Sequence, residues 1–163
     1  MLHPAIQLTE SSRIQGRGLI ATVFIPQGEL IWQLDPDEPR IHLSEILAWP
    51  AAKQQEYGRL AFQCGEAEFV LAGEIDRYMN HSCDPNTWWA DNVSLVARRE
   101  IQRGEEVTYD YATTEVLLDF EMRCNCGSPL CRGVITNKDY LSPVWQAQYG
   151  NQLPGHVLRA IRG

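Results

Sequence analysis

The chain has 163 residues, 44% of them hydrophobic, with 21 Asp and Glu against 14 Lys and Arg for a formal net charge of -7. That length fits one ordinary domain able to bury its own core, and the balance argues against a disordered, fibrous or collagen-like chain. The acidity opposes a phosphate backbone, so direct nucleic-acid binding is not expected, and it suits a cationic partner as well as plain solubility.

Met1 to Gln7 lacks a basic start and an apolar run, so neither a secretory signal nor a membrane span is expected there and the protein is placed inside a cell. On that reading the triplets Asn80-His81-Ser82 and Asn92-Val93-Ser94 are chance glycosylation matches. Gly16-Arg17-Gly18-Leu19-Ile20-Ala21 formally satisfies a dinucleotide-binding pattern. That pattern needs a strand before it and a long helix after it. Here Glu10 to Gln15 are mostly polar and Pro26 stops a helix early, which leaves a glycine turn opening a strand.

Leu19 to Phe24 reads as a strand, Pro26-Gln27-Gly28 as a turn and Glu29 to Trp32 as the returning strand of a hairpin. Ser44 to Leu60, apolar at Ile46, Leu47, Ala51 and Ala52, predicts a helix kept short or broken by Pro50. Cys64, just after Leu60-Ala61-Phe62, reads as a small buried hydrophobe. Glu68 to Ala72, Val93 to Ala97 and Glu106 to Tyr111 predict short strands, with turns at Asp84-Pro85-Asn86 and Arg103-Gly104. Leu141 to Tyr149 and Pro154 to Ile161 predict two short helices that cap the core.

Of five cysteines, Cys124, Cys126 and Cys131 crowd into one Gly- and Pro-flanked segment, which suits metal ligation in a reducing compartment better than disulfides. Tetrahedral zinc needs a fourth ligand; Cys83 is the natural candidate, with His81 the alternative. Tyr109 and Tyr111 are two apart, so in a strand both phenols share one face, an arrangement that cross-strand packing alone would also explain.

In order, Gly16-Arg17-Gly18 with Leu19-Ile20-Ala21, Arg77-Tyr78-Met79-Asn80-His81-Ser82-Cys83, Glu106-Val107-Thr108-Tyr109-Asp110-Tyr111 and the cluster Cys124 to Cys131 resemble the signature of SET-domain protein lysine methyltransferases. The resemblance covers residues 11 to 133. It implies a mainly β protein with short helices, a SET fold of small β-sheets with knot-like threading, followed by a post-SET zinc segment and short helices. The implied divisions are residues 11–115 for the SET domain, 120–135 for the post-SET segment and 136–163 for a helical extension packing on the core.

It also implies S-adenosylmethionine as methyl donor, held by Gly16, Arg17, Gly18, Arg77, Asn80 and His81, and a structural zinc on Cys83, Cys124, Cys126 and Cys131. The implied substrate is a lysine of a protein or basic peptide, with a histone-like tail as one case and no membrane involved. Tyr111 is the implied catalytic tyrosine, lining the channel between lysine and donor. Tyr109 stands where family members carry Phe or Tyr, and its hydroxyl would restrict room for further methyl groups, a bias to monomethylation.

The sequence departs from the pattern in two places. The insert between Phe62 and Arg77 is very short, and no tyrosine occurs in Glu68-Phe69-Val70-Leu71, where the family places a second one; Tyr57 is the substitute candidate. That departure sustains a rival expectation, a catalytically weak or inactive SET module that binds a peptide or cofactor. A zinc-stabilised interaction domain is a third.

Overall fold

The computed structural model describes residues 1–71, 73 and 75–163, and among them short strands in small sheets predominate. In chain order these are β1 (Ile6–Thr9), β2 (Gly18–Ala21), β3 (Leu30–Gln33), β4 (Arg40–His42), α1 (Leu43–Leu47), α2 (Ala51–Gly58), β5 (Ala61–Gln63) and β6 (Glu68–Leu71). There follow β7 (Asn80–His81), β8 (Thr87–Trp89), β9 (Ser94–Ala97), β10 (Glu106–Tyr109), β11 (Glu121–Arg123), β12 (Val134–Thr136), α3 (Pro143–Tyr149) and α4 (Gly155–Arg162). Short 3-10 turns cover Asp76–Tyr78, Tyr111–Thr113 and Asp139–Leu141.

The sheets run β1-β2-β10-β7, β3-β9-β8, β4-β6-β5 and β11-β12. Among the described residues the strand pairs are antiparallel except one: β7 runs parallel to β10, with Asn80 opposite Thr108 and His81 opposite Tyr109. This parallel contact lays the Asn-His segment alongside the tyrosine strand.

Leu19 to Phe24 and Glu29 to Trp32 do not form the expected hairpin. β2 pairs with β1 and β10, whereas β3 pairs with β9 in a different sheet. The turn between them, with Gly28 at φ +85° and its N–H donating to Ala97 O at 2.8 Å, carries the chain from one layer to the next. The physical reason is cover. A lone hairpin leaves one apolar face to solvent, whereas splitting the two strands between sheets buries Leu19, Ile25 and Ile31 in one core.

Pro50 divides the predicted helix into α1 and α2, standing as the N-terminal flanking residue of α2, where it needs no amide hydrogen. Both pack around Ile46, Tyr57 and Phe69. Ala72, the last residue of the strand expected over Glu68 to Ala72, lies outside the described residues; β6 covers Glu68–Leu71. The expected C-terminal helices are α3 and α4. Ser142 caps α3 by accepting from Trp145 N–H at 3.4 Å, and Pro143 takes the first helical position. Trp145, Tyr149, Leu153 and Val157 bury themselves together with Ala112, directly after the tyrosine pair.

Candidate active site

β10 ends at Tyr109, because the Asp110 side chain caps the following 3-10 turn by accepting from Ala112 N–H at 3.1 Å. Tyr111 therefore sits in that turn and not on the same strand as Tyr109, contrary to the strand expected to Tyr111. The two rings nonetheless meet, with centroids 4.8 Å apart. Tyr111 Oη donates to Met79 O at 2.9 Å, which fixes the ring and leaves the oxygen lone pairs to accept. Burial, reinforced by Glu106, pushes the Tyr111 hydroxyl up to about 12. Burial also pushes Tyr109 well above its ordinary value, with Tyr111, Glu115 and Asp110 adding to the effect. Neither phenol is a base at neutral pH.

Asp110 faces the other way and is a buried hub. It accepts two hydrogen bonds from the Arg132 guanidinium at 2.7 and 2.8 Å, one from Tyr149 Oη at 2.8 Å and one from Trp145 Nε1 at 3.0 Å. Burial opposes its ionisation, but the Arg132 hydrogen bonds and the charges around it hold it below the ordinary carboxylate range. One side chain thus ties the tyrosine pair to the cysteine segment and to α3.

The four predicted ligand cysteines converge: Cys83, Cys124, Cys126 and Cys131 have sulfur atoms all within 4.8 Å of one another. Four thiolates around tetrahedral zinc at about 2.3 Å stand about 3.8 Å apart, and Cys83 and Cys124 are already at 3.6 Å. Backbone amides aim at the sulfurs, Arg132 N–H at Cys83 (3.3 Å), Cys126 N–H at Cys124 (3.4 Å) and Gly133 N–H at Cys131 (3.4 Å). Such donors favour negative sulfur. Burial pushes the Cys83 thiol up to about 11 and raises Cys124 too, so a dication is what would make the set ionise. The donors, spacing and chemistry fit zinc.

His81, the alternative ligand, is not in that quartet. Its Nδ1 accepts from Tyr111 N–H at 3.2 Å, which puts the ring proton on Nε2, 3.3 Å from Cys83 Sγ. Burial pushes the imidazole down to about 4 despite Asp110 Oδ1 at 3.4 Å, so this contact is no ion pair. The ring also packs edge-on against Tyr111, centroids 5.4 Å apart.

Asn80 holds the glycine turn. Its Nδ2 lies 2.7 Å from Arg17 O, 3.1 Å from Gln15 O, 3.0 Å from Ser12 Oγ and 2.8 Å from Glu106 Oε1. A Cβ at Gly18 would crowd the Glu106 carboxylate, which Ser12 and Asn80 hold in place. Gly16, at φ +54°, faces open space. Arg17 reaches outward to Tyr78 Oη at 3.0 Å and Glu10 at 3.0 Å.

A cleft of about 540 Å³ brings together Arg77, Tyr109 and Tyr111, three of the predicted site residues. Gly16, Arg17, Gly18, Asn80 and His81 do not line it; they flank it through β7 and the glycine turn. The cleft adds residues that sequence reasoning missed, chiefly Asp76, Met79, Glu115 and Phe120. A second cavity of about 320 Å³ shares Phe62, Asp76, Met79 and Tyr109 with it and continues between Trp32 and Trp89. The Trp32 indole donates to Asp76 Oδ2 at 2.6 Å. Tyr57 is not in the cleft: it packs against Trp49 in the α1/α2 cluster, with its hydroxyl unpartnered among the described residues. Trp32 carried a signal as a bulky residue in a predicted strand; Glu115 and Phe120 carried none, because loop residues show no periodicity.

A family model described as the SET domain matches residues 16–112, more than half of the chain. The chain belongs to the SET-domain family. Among its relatives, Histone-lysine N-methyltransferase trr of Drosophila melanogaster is 35% identical over 134 residues, 74% of this chain and 5% of that protein. Histone-lysine N-methyltransferase Set2 of Drosophila melanogaster is 34% identical over 137 residues, 74% of this chain and 6% of that protein. Histone-lysine N-methyltransferase ash1 of the same fly is 42% identical over 73 residues, covering 40% of this chain and 3% of that protein. The chain thus spans a small part of the length of the relatives it matches. The SET-domain match begins at the glycine turn and closes at Ala112, just past the tyrosine pair. Three of the four clustered cysteines lie beyond it, so the cluster stands on its own geometry.

Proposed function

We propose that this SET domain transfers a methyl group from S-adenosylmethionine to a lysine side-chain amine of a protein or peptide. The observation that carries the reading is the Tyr109 and Tyr111 ring pair, 4.8 Å apart, in a cleft shared with Arg77. The names of the relatives support a lysine substrate. A basic peptide such as a histone-like tail suits the net charge of -7.

The donor set of the cleft fits such a cofactor: a guanidinium at Arg77 for a carboxylate, and tyrosine oxygens for a positively charged sulfonium. Gly16, Arg17 and Gly18, held by Asn80, flank the cleft as the candidate backbone side of that site, and His81 packs edge-on against Tyr111. When bound, S-adenosylmethionine supplies an electrophilic methyl group and a positive charge beside the incoming amine.

The residues handle what remains. Lysine, with a reference pKa of about 10.4, costs roughly 4.6 kcal/mol to deprotonate at pH 7. Tyr111 is protonated and its hydrogen is given to Met79 O, so its role is to accept and orient, aligning nucleophile and methyl group. Partial desolvation of the amine between the tyrosine rings, together with the donor's positive charge, lowers the lysine pKa by disfavouring the ammonium. Tyr109, whose ring lies against Tyr111 in the lining of the cleft, limits the space for further methyl groups and biases the product to monomethyl-lysine.

Zinc on Cys83, Cys124, Cys126 and Cys131 would order the segment 120–135 against the SET core of 11–115, with 136–163 as a helical extension. The second reading, a SET module with little or no turnover, is favoured by one observation: Tyr57 lies outside the cleft, so the upstream tyrosine has no substitute there. Labelled S-adenosylmethionine and lysine-containing basic peptides separate the two. Transfer of label supports the enzyme; cofactor binding by calorimetry without transfer supports the module.

A further inference from the structure

Glu115 is a buried carboxylate in the wall of the cleft that the reaction above leaves without a task. Its Oε1 accepts from Gln63 N–H at 3.0 Å and from Thr114 Oγ1 at 3.2 Å, while the Gln63 side chain accepts from Val116 N–H at 3.2 Å. The carboxylate is therefore clamped between β5 and the loop after Tyr111, with Oε2 lacking a protein partner among the described residues. No Lys, Arg or His pairs with it among those residues either. As a mere acceptor for Gln63 N–H, a neutral amide would serve at lower desolvation cost. An acid clamped at the cleft and left without a cation is shaped for a cation that arrives.

We propose that Glu115 receives the substrate ammonium through Oε2 and accepts its proton, making the amine that attacks. This rests on the lysine-methyltransferase reading. The ammonium N–H bond breaks and the proton goes to Oε2. The freed nitrogen pair then forms the C–N bond to the donor methyl as the methyl–sulfur bond breaks, its electrons staying on sulfur. The product ammonium carries the charge the sulfonium loses, and Glu115 releases its proton to water through the open cleft.

The surroundings suit the task. Burial pushes Glu115 up to about 7, against the hydrogen bonds from Gln63 and Thr114, so it exchanges a proton near neutrality. The titratable groups facing it are Tyr109 from β10, Tyr111 from the turn, Tyr57 from α2, and Cys64 after β5. Arg59, Asp76 and Arg77 stand around the cleft, and His156 of α4 bonds the neighbouring Thr114 carbonyl. The tyrosines and Cys64 are pushed above their ordinary values, and the other carboxylate lining the cleft, Asp76, is engaged through Oδ2 by the Trp32 indole.

The test compares wild type, Glu115→Gln and Glu115→Asp, with thermal melting to confirm folding. Calorimetry measures binding of a lysine peptide and its norleucine counterpart, and the pH dependence of kcat/KM follows methyl transfer. We expect wild type to favour lysine over norleucine, Glu115→Gln to lose that preference by about tenfold or more, and Glu115→Asp to keep part of it. We also expect Glu115→Gln to lower transfer at neutral pH by at least about 10²-fold and to abolish the limb that rises through pH 7. An unchanged preference together with an unchanged pH profile would overturn the proposal. Should wild type transfer no methyl group, the methyltransferase reading fails, and the lysine-against-norleucine comparison still decides whether Glu115 binds the ammonium.

Discussion

At the scale of single residues, Tyr111 and Asp110 do opposite jobs from adjacent positions. Tyr111 faces the cleft with its proton committed to Met79 O, so Tyr111→Phe removes one oriented oxygen and little packing. Methyl transfer should fall by about 10²-fold or more while the melting temperature changes little, the size seen when one oriented polar group leaves a reaction site. Tyr109→Phe should raise the share of di- and trimethyl-lysine in mass spectra, because it empties space beside the same ring. Asp110→Asn leaves Arg132 facing a neutral partner and should cost about 3–5 kcal/mol in denaturant unfolding, the penalty for breaking a buried ion pair. Glu115 sets a pH dependence of stability with a definite sign. Its folded value, about 7, exceeds the ordinary 4.5, so its neutral form is favoured in the folded protein. Its contribution is full below about pH 4.5 and is lost as pH rises to 7, on the order of 3 kcal/mol in all. The stability difference between wild type and Glu115→Gln should therefore shift across that window and flatten above it.

At the scale of elements, the cysteine segment and α3 are tied to the tyrosine strand through the Asp110 hub and the Cys83 quartet. Chelation should release β11 and β12 first, visible as faster amide exchange there than in β9 or β10. Equal protection of all four strands after chelation would contradict a metal-ordered segment. This is also where sequence and structure part. The tyrosine pair, the cysteine quartet and the helices α3 and α4 were legible because each leaves a local mark: two phenols two residues apart, ligand spacing, a proline opening the last helix at Pro154. The hairpin failed because strand partners are chosen by distant apolar surface, and nothing local to Pro26-Gln27-Gly28 reveals that β3 belongs with β9. Likewise β5 and β7 are too short for a periodic signal, yet they place Gln63 beside Glu115 and His81 beside Tyr109.

At the scale of the whole molecule, small sheets with little core of their own are held by the contacts between them. The main core lies between the β1-β2-β10-β7 and β3-β9-β8 sheets, and the cleft opens where that core meets the α1/α2 region and the post-tyrosine loop. The net charge of -7 predicts that binding of a basic peptide weakens with added salt, mainly through a slower association rate. The central claim is methyl transfer to lysine, and mass spectrometry of a basic peptide incubated with the protein and S-adenosylmethionine tests it most directly. We predict a mass gain of one methyl group located on lysine, absent when that lysine is replaced by arginine and lost with Tyr111→Phe. No gain in mass from folded protein with zinc and S-adenosylmethionine bound, across peptides from its own source, would contradict it.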